Sequence, residues 1–248
     1  MEDWKRPIND YDVILDTHGH KVSININVPK LAAENLHFQT WGSARVLAGQ
    51  LHTIPLDKDT FRDGKVGVNI LELGAGTGLA GLAAAALWQT ETILTDLAPF
   101  VPGLARNIEV NQQALSERGA KVLSGALDWN APAELPLFSD DPAKPDRILS
   151  SDTDKASVII AADTLYSEEH PRMLASAIFA WLKRSPEARV IVCYPLRVAY
   201  LDIIRDLWQV LEEGGLEALI EGKEEIKDEV WDDERLHEWC VFRWKEGS

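Results

Sequence analysis

The 248-residue sequence is poor in cysteine and in long apolar runs. Its two cysteines, Cys193 and Cys240, lie in the apolar stretches IVCYP and EWCVF, a setting that favours reduced core thiols over a disulfide framework. The alanine-rich run LAGLAAAALW is too short to span a membrane, and the first residues, MEDWKRPINDYD, contain no apolar signal-peptide core. We therefore expect a soluble protein of the cytoplasm, with the nucleus as an additional compartment and no membrane association.

Basic residues are also scarce: 25 lysines and arginines stand against 40 acidic residues, which gives a formal net charge of -15. Such a charge repels phosphate backbones and attracts basic partners, so we expect no binding of nucleic acid. An acidic surface also serves solubility, and charge alone therefore gives only weak support for a basic protein partner. The length and the 46% hydrophobic content predict one domain over residues 1–248, and we expect a monomer.

The N-terminal segment, residues 1–39, predicts a hairpin extension. Apolar and polar residues alternate in YDVILDTHGHKVSININV on both sides of a turn at Gly19. His18 and His20 flank this turn without an accompanying cysteine or carboxylate cluster, and we predict no metal site. A helix over TWGSARVLAGQLHTI is expected to follow, with Thr40 as its N-cap.

Strand and helix patterns then alternate along the chain. The runs VGVNILELG, ETILTD, KVLSGALDW, SVIIAADTLY and ARVIVCYPL predict strands separated by helices, and LEALIEGKEEI and HEWCVFRWK predict two final strands. This order indicates an α/β fold with a Rossmann-like, seven-stranded, mostly parallel sheet flanked by helices, with a reversed strand from the C-terminal pair. Residues 130–156, rich in proline, aspartate and serine, predict a long acidic surface loop, and their composition favours disorder.

A glycine cluster follows the first parallel strand at Gly74, Gly76, Gly78 and Gly81. The last three spell G-x-G-x-x-G, a pattern also found in dinucleotide-binding proteins and in simple tight turns. Glu72 precedes the cluster within the strand, and Asp96 ends the next strand, where an acid can accept hydrogen bonds from both ribose hydroxyls of an adenosine. Nicotinamide and methionine cofactors share that requirement, but we see no room for the second domain of a dehydrogenase.

Asp163 and Tyr166 lie just beyond the buried strand SVIIAA, at the same sheet edge as the glycine cluster. A carboxylate and a phenol there can hold an incoming ammonium, accept its proton and orient its lone pair. The alternative is that Asp163 caps a helix beginning near Ser167 while Tyr166 packs in the core. Tyr194 and Arg197 follow the next strand and are further candidates on the substrate side.

Five motifs in order, WGSA, LELGAGTGL, LTD, LDW and ADTLYS, resemble those of the seven-β-strand (class I) lysine methyltransferases, the eukaryotic methyltransferase-like proteins that modify elongation factors and chaperones. The resemblance covers most of the chain from Trp41 onward. It implies that the cofactor is S-adenosyl-L-methionine and that the methyl acceptor is a lysine of a protein. It also implies that Asp163 and Tyr166 form the family's D-x-x-Y motif and that both residues are catalytic. Some fungal relatives are labelled nicotinamide N-methyltransferase, so a small-molecule amine is one alternative acceptor. A non-catalytic, cofactor-binding interaction protein is another alternative.

The resemblance also implies a set of cofactor-binding residues: Trp41, Glu72, Gly74, Ala75, Gly76, Gly78, Asp96, Leu97, Asp128, Trp129 and Ala162. In it Glu72 would support the glycine loop, Asp96 would hold the ribose, and Asp128 and Trp129 would frame the adenine. Three of these residues also fit structural roles, since Asp128 can end a strand, Trp129 can belong to the core, and Trp41 can pack a helix on the sheet.

Overall fold

The computed structural model describes residues 9–28, 32–33, 36–37, 39–56, 61, 68–138, 144–227 and 235–247. The strands are β1 (Asn9–Ile14), β2 (Lys21–Ile26), β3 (Ala32–Ala33), β4 (Leu36–His37), β5 (Val68–Leu73), β6 (Glu91–Asp96), β7 (Lys121–Ala126), β8 (Glu134–Phe138), β9 (Arg147–Ser150), β10 (Ala156–Ala162), β11 (Arg189–Pro195), β12 (Leu216–Glu225) and β13 (Leu236–Trp244). The α-helices are α1 (Gly42–Gln50), α2 (Leu79–Trp88), α3 (Val101–Glu117), α4 (His170–Trp181) and α5 (Leu201–Glu213).

Nine of these strands form the central sheet, in the order β12-β13-β11-β10-β5-β6-β7-β8-β9. The five central strands, from β11 to β7, pair in parallel. Helices α2, α3 and α4 form the crossovers from β5 to β6, from β6 to β7 and from β10 to β11, as parallel pairing requires. β13 pairs antiparallel with β11, which confirms the predicted reversed strand, and β1 and β2 form the predicted antiparallel hairpin with Gly19 at a φ of 80°. The mostly parallel α/β fold is therefore confirmed.

The sheet has nine strands and not seven because the segment 130–156 is not one long loop. β8 pairs antiparallel with β7 and with β9, so this segment adds a hairpin to the edge of the sheet. The hairpin buries three of its own side chains, those of Leu135, Leu137 and Leu149. The prediction of a surface loop was wrong because the buried face of the hairpin consists of only three leucines, which are separated by prolines and charged residues. An alternation of apolar and polar residues over so few positions is hard to detect in a sequence.

The polar end of the same segment is held by side-chain hydrogen bonds. The Asp154 carboxylate accepts the Ser150 backbone N–H at 3.0 Å and forms an ion pair with Arg147 at 3.3 Å. The indole N–H of the fully buried Trp181 donates to the carbonyl oxygen of Pro132 at 2.7 Å and so ties the segment to α4. Aspartate and serine, which favour disorder by composition, here stabilise turns.

Helix α2 is buried on all sides, between the central sheet and the N-terminal hairpin. Its composition, LAGLAAAALW, is apolar all round, which is typical of a helix without a solvent face. The hairpin is fastened to α3 by two asparagines: Asn107 Oδ1 accepts the Asn27 N–H, and Asn111 accepts the Asn25 N–H while donating to its carbonyl oxygen. Helices α4 and α5 cover the other face of the sheet, so the core has two apolar layers.

Helix α1 begins later than predicted, at Gly42, with Trp41 in the N-cap position. Thr40 does not cap it, because the Thr40 hydroxyl is hydrogen-bonded to the hydroxyl of Thr77, 2.9 Å away in the loop before α2. The prediction of a Thr40 cap was therefore wrong. The bond instead joins the segment before α1 to the glycine-rich loop.

The contact between β7 and the added hairpin predicts a strong effect at Gly125. A Cβ atom at this position would lie 2.6 Å from Leu135 and 2.9 Å from the backbone oxygen of Pro136, so Gly125→Ala should force the strands apart. We expect it to lower the free energy of unfolding by about 1–3 kcal/mol in urea titrations. Gly49→Ala in α1 is the matched control, since nothing lies within 4 Å of its Cβ, and it should leave stability equal or higher. Equal effects of the two substitutions would contradict this packing.

The five parallel strands bring their carboxyl ends to one edge of the sheet. The segments that follow them are the glycine loop, Asp96–Leu97, Leu127–Asn130, Asp163–Tyr166 and Leu196–Tyr200. Open α/β sheets bind ligands at this edge. None of the helices in the described ranges is long and apolar enough to cross a membrane.

Candidate active site

A cavity of about 540 Å³ lies at the carboxyl edge of the parallel strands. Ten of the residues predicted to form the site line it: Trp41, Gly74, Gly76, Asp96, Leu97, Asp128, Trp129, Ala162, Asp163 and Tyr166. The other three, Glu72, Ala75 and Gly78, lie outside the lining, in or beneath the glycine loop. The structure thus brings the residues of five separate motifs together around one space.

The glycine loop turns sharply at the mouth of β5. Gly74 and Gly76 have φ angles of 64° and 54°, in the left-handed region that favours glycine. Gly74 also lacks room for a side chain, because a Cβ atom would lie 3.0 Å from Thr164 and 3.1 Å from the Trp129 ring. The backbone of the loop therefore forms part of the cavity wall.

Asp96 holds the glycine loop in place. One carboxylate oxygen accepts the backbone N–H of Gly76 and the other accepts the N–H of Leu97, both at 2.7 Å. Burial raises the pKa of Asp96 to about 6, although the two hydrogen bonds act to lower it. A carboxylate has about four acceptor positions, so two backbone bonds leave capacity for hydroxyl groups that enter the cavity.

Asp163 and Tyr166 face the same cavity from the segment after β10. Asp163 has a φ of 57°, a rare value for a residue other than glycine, and its N–H donates to the Cys193 carbonyl oxygen at 2.9 Å. Asp163 is 9% exposed and Tyr166 is 38% exposed. The alternative cap and core roles are wrong, because α4 begins at His170 with Glu169 as its N-cap and Tyr166 is not in the core.

Sequence reasoning missed His170. Its ring contacts Tyr166 edge-on, with centroids 4.1 Å apart, and lies 6.1 Å from the ring of Trp129. Its Nδ1 atom donates to the carbonyl oxygen of Thr164 at 2.9 Å, which fixes the ring orientation. The only signal in the sequence is that His170 lies four residues after Tyr166, and helical spacing does not explain the contact because Tyr166 precedes α4.

Of the two substrate-side candidates, Tyr194 lies within β11 and Arg197 just beyond it, and only Arg197 lines the cavity. Arg197 Nη1 lies 3.2 Å from Asp163 Oδ1, and both side chains are largely buried. Tyr194 is directed into the protein, where its hydroxyl accepts the Trp208 indole N–H at 2.7 Å and donates to Glu238 at 2.9 Å. The prediction that Tyr194 lies on the substrate side was therefore wrong.

Comparison with known families decides the classification of this chain. A family model described as lysine methyltransferase matches residues 22–202, which include most of the hairpin strand β2, the glycine loop, Asp163 and Arg197. The chain belongs to the lysine methyltransferase family. The resemblance of its five motifs to this family is therefore confirmed.

Several curated relatives of this lysine methyltransferase family member carry related names. Protein-lysine N-methyltransferase rrg1 of Schizosaccharomyces pombe is 32% identical over 197 residues, which are 79% of this chain and 58% of that protein. Protein-lysine N-methyltransferase EFM2 of Saccharomyces cerevisiae is 32% identical over 222 residues, 84% of this chain and 48% of that protein. Calmodulin-lysine N-methyltransferase of Arabidopsis thaliana is 29% identical over 203 residues, 81% of this chain and 56% of that protein. The chain thus spans about half the length of the curated relatives it matches.

Glu72 lies beneath the glycine loop of this family member and is fully buried. Its Oε2 accepts the N–H of Gly81 at 3.0 Å, and its backbone carbonyl oxygen accepts the hydroxyl of Thr95 at 2.6 Å. Burial raises the pKa of Glu72 to about 8, and repulsion from the Asp96 carboxylate adds to the increase. Glu72 therefore carries a proton in the folded protein at neutral pH.

This proton makes stability depend on pH at Glu72. The folded state keeps the proton up to about pH 8, whereas the unfolded chain loses it near 4.5, so the free energy of unfolding falls as pH rises between these values. Glu72→Gln is neutral at every pH. We expect its loss of stability between pH 5.5 and 8, measured by urea titration, to be smaller than that of the wild type by about 1–3 kcal/mol. The exposed Glu134→Gln should follow the wild-type curve, and a Glu72→Gln curve that also follows it would contradict the buried acid.

Among the described residues, no group of three His, Cys, Asp or Glu side chains is arranged to hold a metal ion. His18 and His20 instead surround a turn in which Asp16 accepts both backbone N–H groups, and His20 Nδ1 lies 2.5 Å from the Asp16 carboxylate. These histidines belong to the hairpin turn.

Proposed function

We propose that the chain is an S-adenosyl-L-methionine-dependent N-methyltransferase that methylates a lysine side chain of another protein. The observation that carries the proposal is the shared cavity: Asp163 and Tyr166 face the same space as the glycine loop and Asp96. One side of the space can hold an adenosine and the other can hold a cation. Membership of the lysine methyltransferase family supports the same reaction.

The residues present fit an S-adenosylmethionine molecule. Asp96 has acceptor capacity for two ribose hydroxyls, and Leu97, Asp128 and Trp129 form the neighbouring wall where an adenine ring would lie. Gly74, with Gly76 beside it, lets a ligand approach the backbone closely, which suits the methionine portion. In this proposal Glu72, Ala75 and Gly78 act indirectly, because they shape the loop without lining the cavity. Trp41 and the backbone of Ala162 complete the wall.

When bound, S-adenosylmethionine would supply a methyl group activated by a sulfonium. The task of the protein is then to deliver a neutral amine in line with that methyl group, since positioning contributes most of the catalysis in such a displacement. The Asp163 carboxylate attracts the ammonium group of the acceptor and the Tyr166 hydroxyl gives it a second hydrogen-bond partner. The aromatic rings of Tyr166, His170 and Trp129 offer faces that accommodate positive charge.

A protein is favoured over a small molecule as the acceptor. Tyr166 is more than one third exposed, so a side chain carried by a macromolecule outside the cavity can reach it. The net charge of -15 attracts basic segments and disfavours nucleic acid. The names of the relatives point the same way, since rrg1 and EFM2 are called protein-lysine N-methyltransferases and the third relative acts on calmodulin. A translation factor or a chaperone is the kind of substrate that we propose.

The test combines a binding and a transfer measurement. Calorimetric titration with S-adenosylhomocysteine, with NAD as the comparison, should give binding of the former only. A labelled-methyl assay on cell extract resolved by protein size should then give a labelled protein band. Label in small molecules alone would support a nicotinamide-type enzyme, and binding without transfer would support a non-catalytic protein. Absence of S-adenosylhomocysteine binding would contradict the cofactor assignment.

A further inference from the structure

Arg197 places a positively charged side chain on the acceptor side of the cavity. Its Nη1 lies 3.2 Å from Asp163 Oδ1, and the two side chains are 12% and 4% exposed. The guanidinium carbon also lies 5.7 Å from the centre of the Tyr200 ring. Arg197 is thus fixed between β11 and α5 and meets the same carboxylate that would receive an incoming lysine.

A carboxylate alone would be a poor receiver for this reaction. An opposite charge stabilises the ammonium form of lysine, and the ammonium form has no lone pair with which to attack a methyl group. A fixed cation nearby has the opposite effect, because two positive charges in a poorly solvated site repel each other and favour the neutral amine. Arginine suits this role because its guanidinium, unlike the ammonium of lysine, is not deprotonated in proteins.

We propose that Arg197 is a positioning residue that promotes loss of the proton from the bound substrate lysine while it orients the Asp163 carboxylate. The inference rests on the proposed function and specifies how its acceptor site works. Asp163 then attracts and aims the amine, and Arg197 prevents the carboxylate from holding it as ammonium. The chain would thereby separate capture of the lysine from its deprotonation.

The transfer conserves atoms and charge. The lysine ammonium gives one proton to water at the exposed side of Tyr166 and becomes a neutral amine. The amine lone pair forms the new N–C bond as the C–S bond breaks, and the electron pair of that bond stays on sulfur. The sulfonium charge is thereby transferred to nitrogen, and the methylated ammonium leaves with the repulsion of Arg197 in its favour.

Other ionisable groups line the same cavity as Arg197, and a test of Arg197 must leave these groups unchanged. The titratable groups that line the cavity with Arg197 are Asp96, Asp128, Asp163, Tyr166, His170 and Tyr200. Cys193 lies behind Asp163 on β11, where burial raises its pKa well above the ordinary value, so its thiol stays neutral. Because all of these groups are common to the variants below, a difference between variants isolates the charge at position 197.

The test is the pH dependence of kcat, which reports groups in the bound complex. The acceptor is the extract protein that the wild-type chain labels, purified and used at saturating concentration from pH 6 to 10. In Arg197→Met and Arg197→Gln we expect the midpoint of kcat to move upward by about one to two pH units, with kcat near pH 7 lowered by about 10- to 100-fold and partly recovered at pH 9.5. Arg197→Lys keeps a positive charge at neutral pH, so its kcat near pH 7 should lie closer to the wild type than that of either uncharged variant.

Three controls make the result decisive. The affinity for S-adenosylhomocysteine and the melting temperature identify a variant that has lost its structure. The use of two uncharged variants keeps the test possible if one of them does not fold. If Arg197→Met and Arg197→Gln lower kcat equally at every pH, or raise it, the inference is wrong, and Arg197 is then a structural or an obstructing residue. A wild-type chain that labels no protein would refute the proposed function itself, which is a different result.

Discussion

Asp163→Asn will reduce the rate of methyl transfer by about 10²- to 10³-fold and leave the affinity for S-adenosylhomocysteine within about twofold. Asparagine has the shape of aspartate and tolerates the left-handed backbone found at this position, so the loop after β10 should keep its path. The substitution removes the charge that attracts the ammonium and pairs with Arg197. Initial rates with a labelled methyl donor and calorimetry measure the two quantities separately.

The control for Asp163→Asn is at the other end of the same strand. Asp152 is exposed and precedes β10, whereas Asp163 follows it, so Asp152→Asn changes the same charge far from the cavity and should leave the rate unchanged. Tyr166→Phe should reduce the rate less, by about tenfold, because it removes one neutral hydrogen bond and keeps the ring that contacts His170. Full activity in Asp163→Asn would show that the acceptor site has been placed wrongly.

Asp96→Asn will weaken the binding of S-adenosylhomocysteine by about 100-fold. Both carboxylate oxygens already accept backbone N–H groups, from Gly76 and Leu97, so the amide nitrogen of asparagine would have to face one of these donors. The substitution therefore costs a charge-assisted hydrogen bond in the loop as well as one to the ribose, each worth about 1.5–3 kcal/mol. Calorimetric titration gives the affinity directly.

The pKa of Asp96 adds a second expectation to the same experiment. Since that pKa is raised to about 6, the carboxylate is ionised above pH 6 and loses its charge below it. Wild-type affinity for S-adenosylhomocysteine should therefore fall as pH decreases from 7 to 5, and Asp96→Asn should not show this fall. Glu91→Gln, at the opposite end of β6, where the half-buried carboxylate pairs with Lys121, should behave like the wild type. An unchanged affinity in Asp96→Asn would remove the ribose assignment.

Much of this architecture could be predicted because its signals are local. The strands β5 and β10 are short apolar runs followed directly by Gly74 and Asp163, and β6 ends at Asp96. Parallel strands necessarily bring such ends to one edge of the sheet. The placement of the residues around one cavity therefore followed from pattern and topology together. The roles of these residues in binding and transfer remain predictions for the experiments above.

The features that could not be predicted depend on contacts between distant segments. The β8–β9 hairpin is held by three buried leucines and by the Trp181 indole, which is 49 residues from its partner Pro132. Such contacts leave no periodic pattern in the local sequence. The Arg197–Asp163 pair joins residues 34 apart in sequence. The left-handed backbone of Asp163 is likewise invisible in sequence, since aspartate adopts it only where the surrounding structure compensates the strain.

The two outer strands of the central sheet have a consequence for how the protein behaves in concentrated solution. β9 has only four residues and begins with the charged Arg147. Although Ile148 is exposed, so short a strand offers little backbone for pairing with a strand of another molecule. β12 is longer, but it carries the exposed charges of Glu221, Lys223 and Glu224 and an irregularity in its pairing near Ala218. Short, charged or irregular outer strands are the devices by which natural sheets avoid edge-to-edge aggregation. The folded protein therefore has built-in protection against pairing its outer strands with those of other molecules when it is crowded.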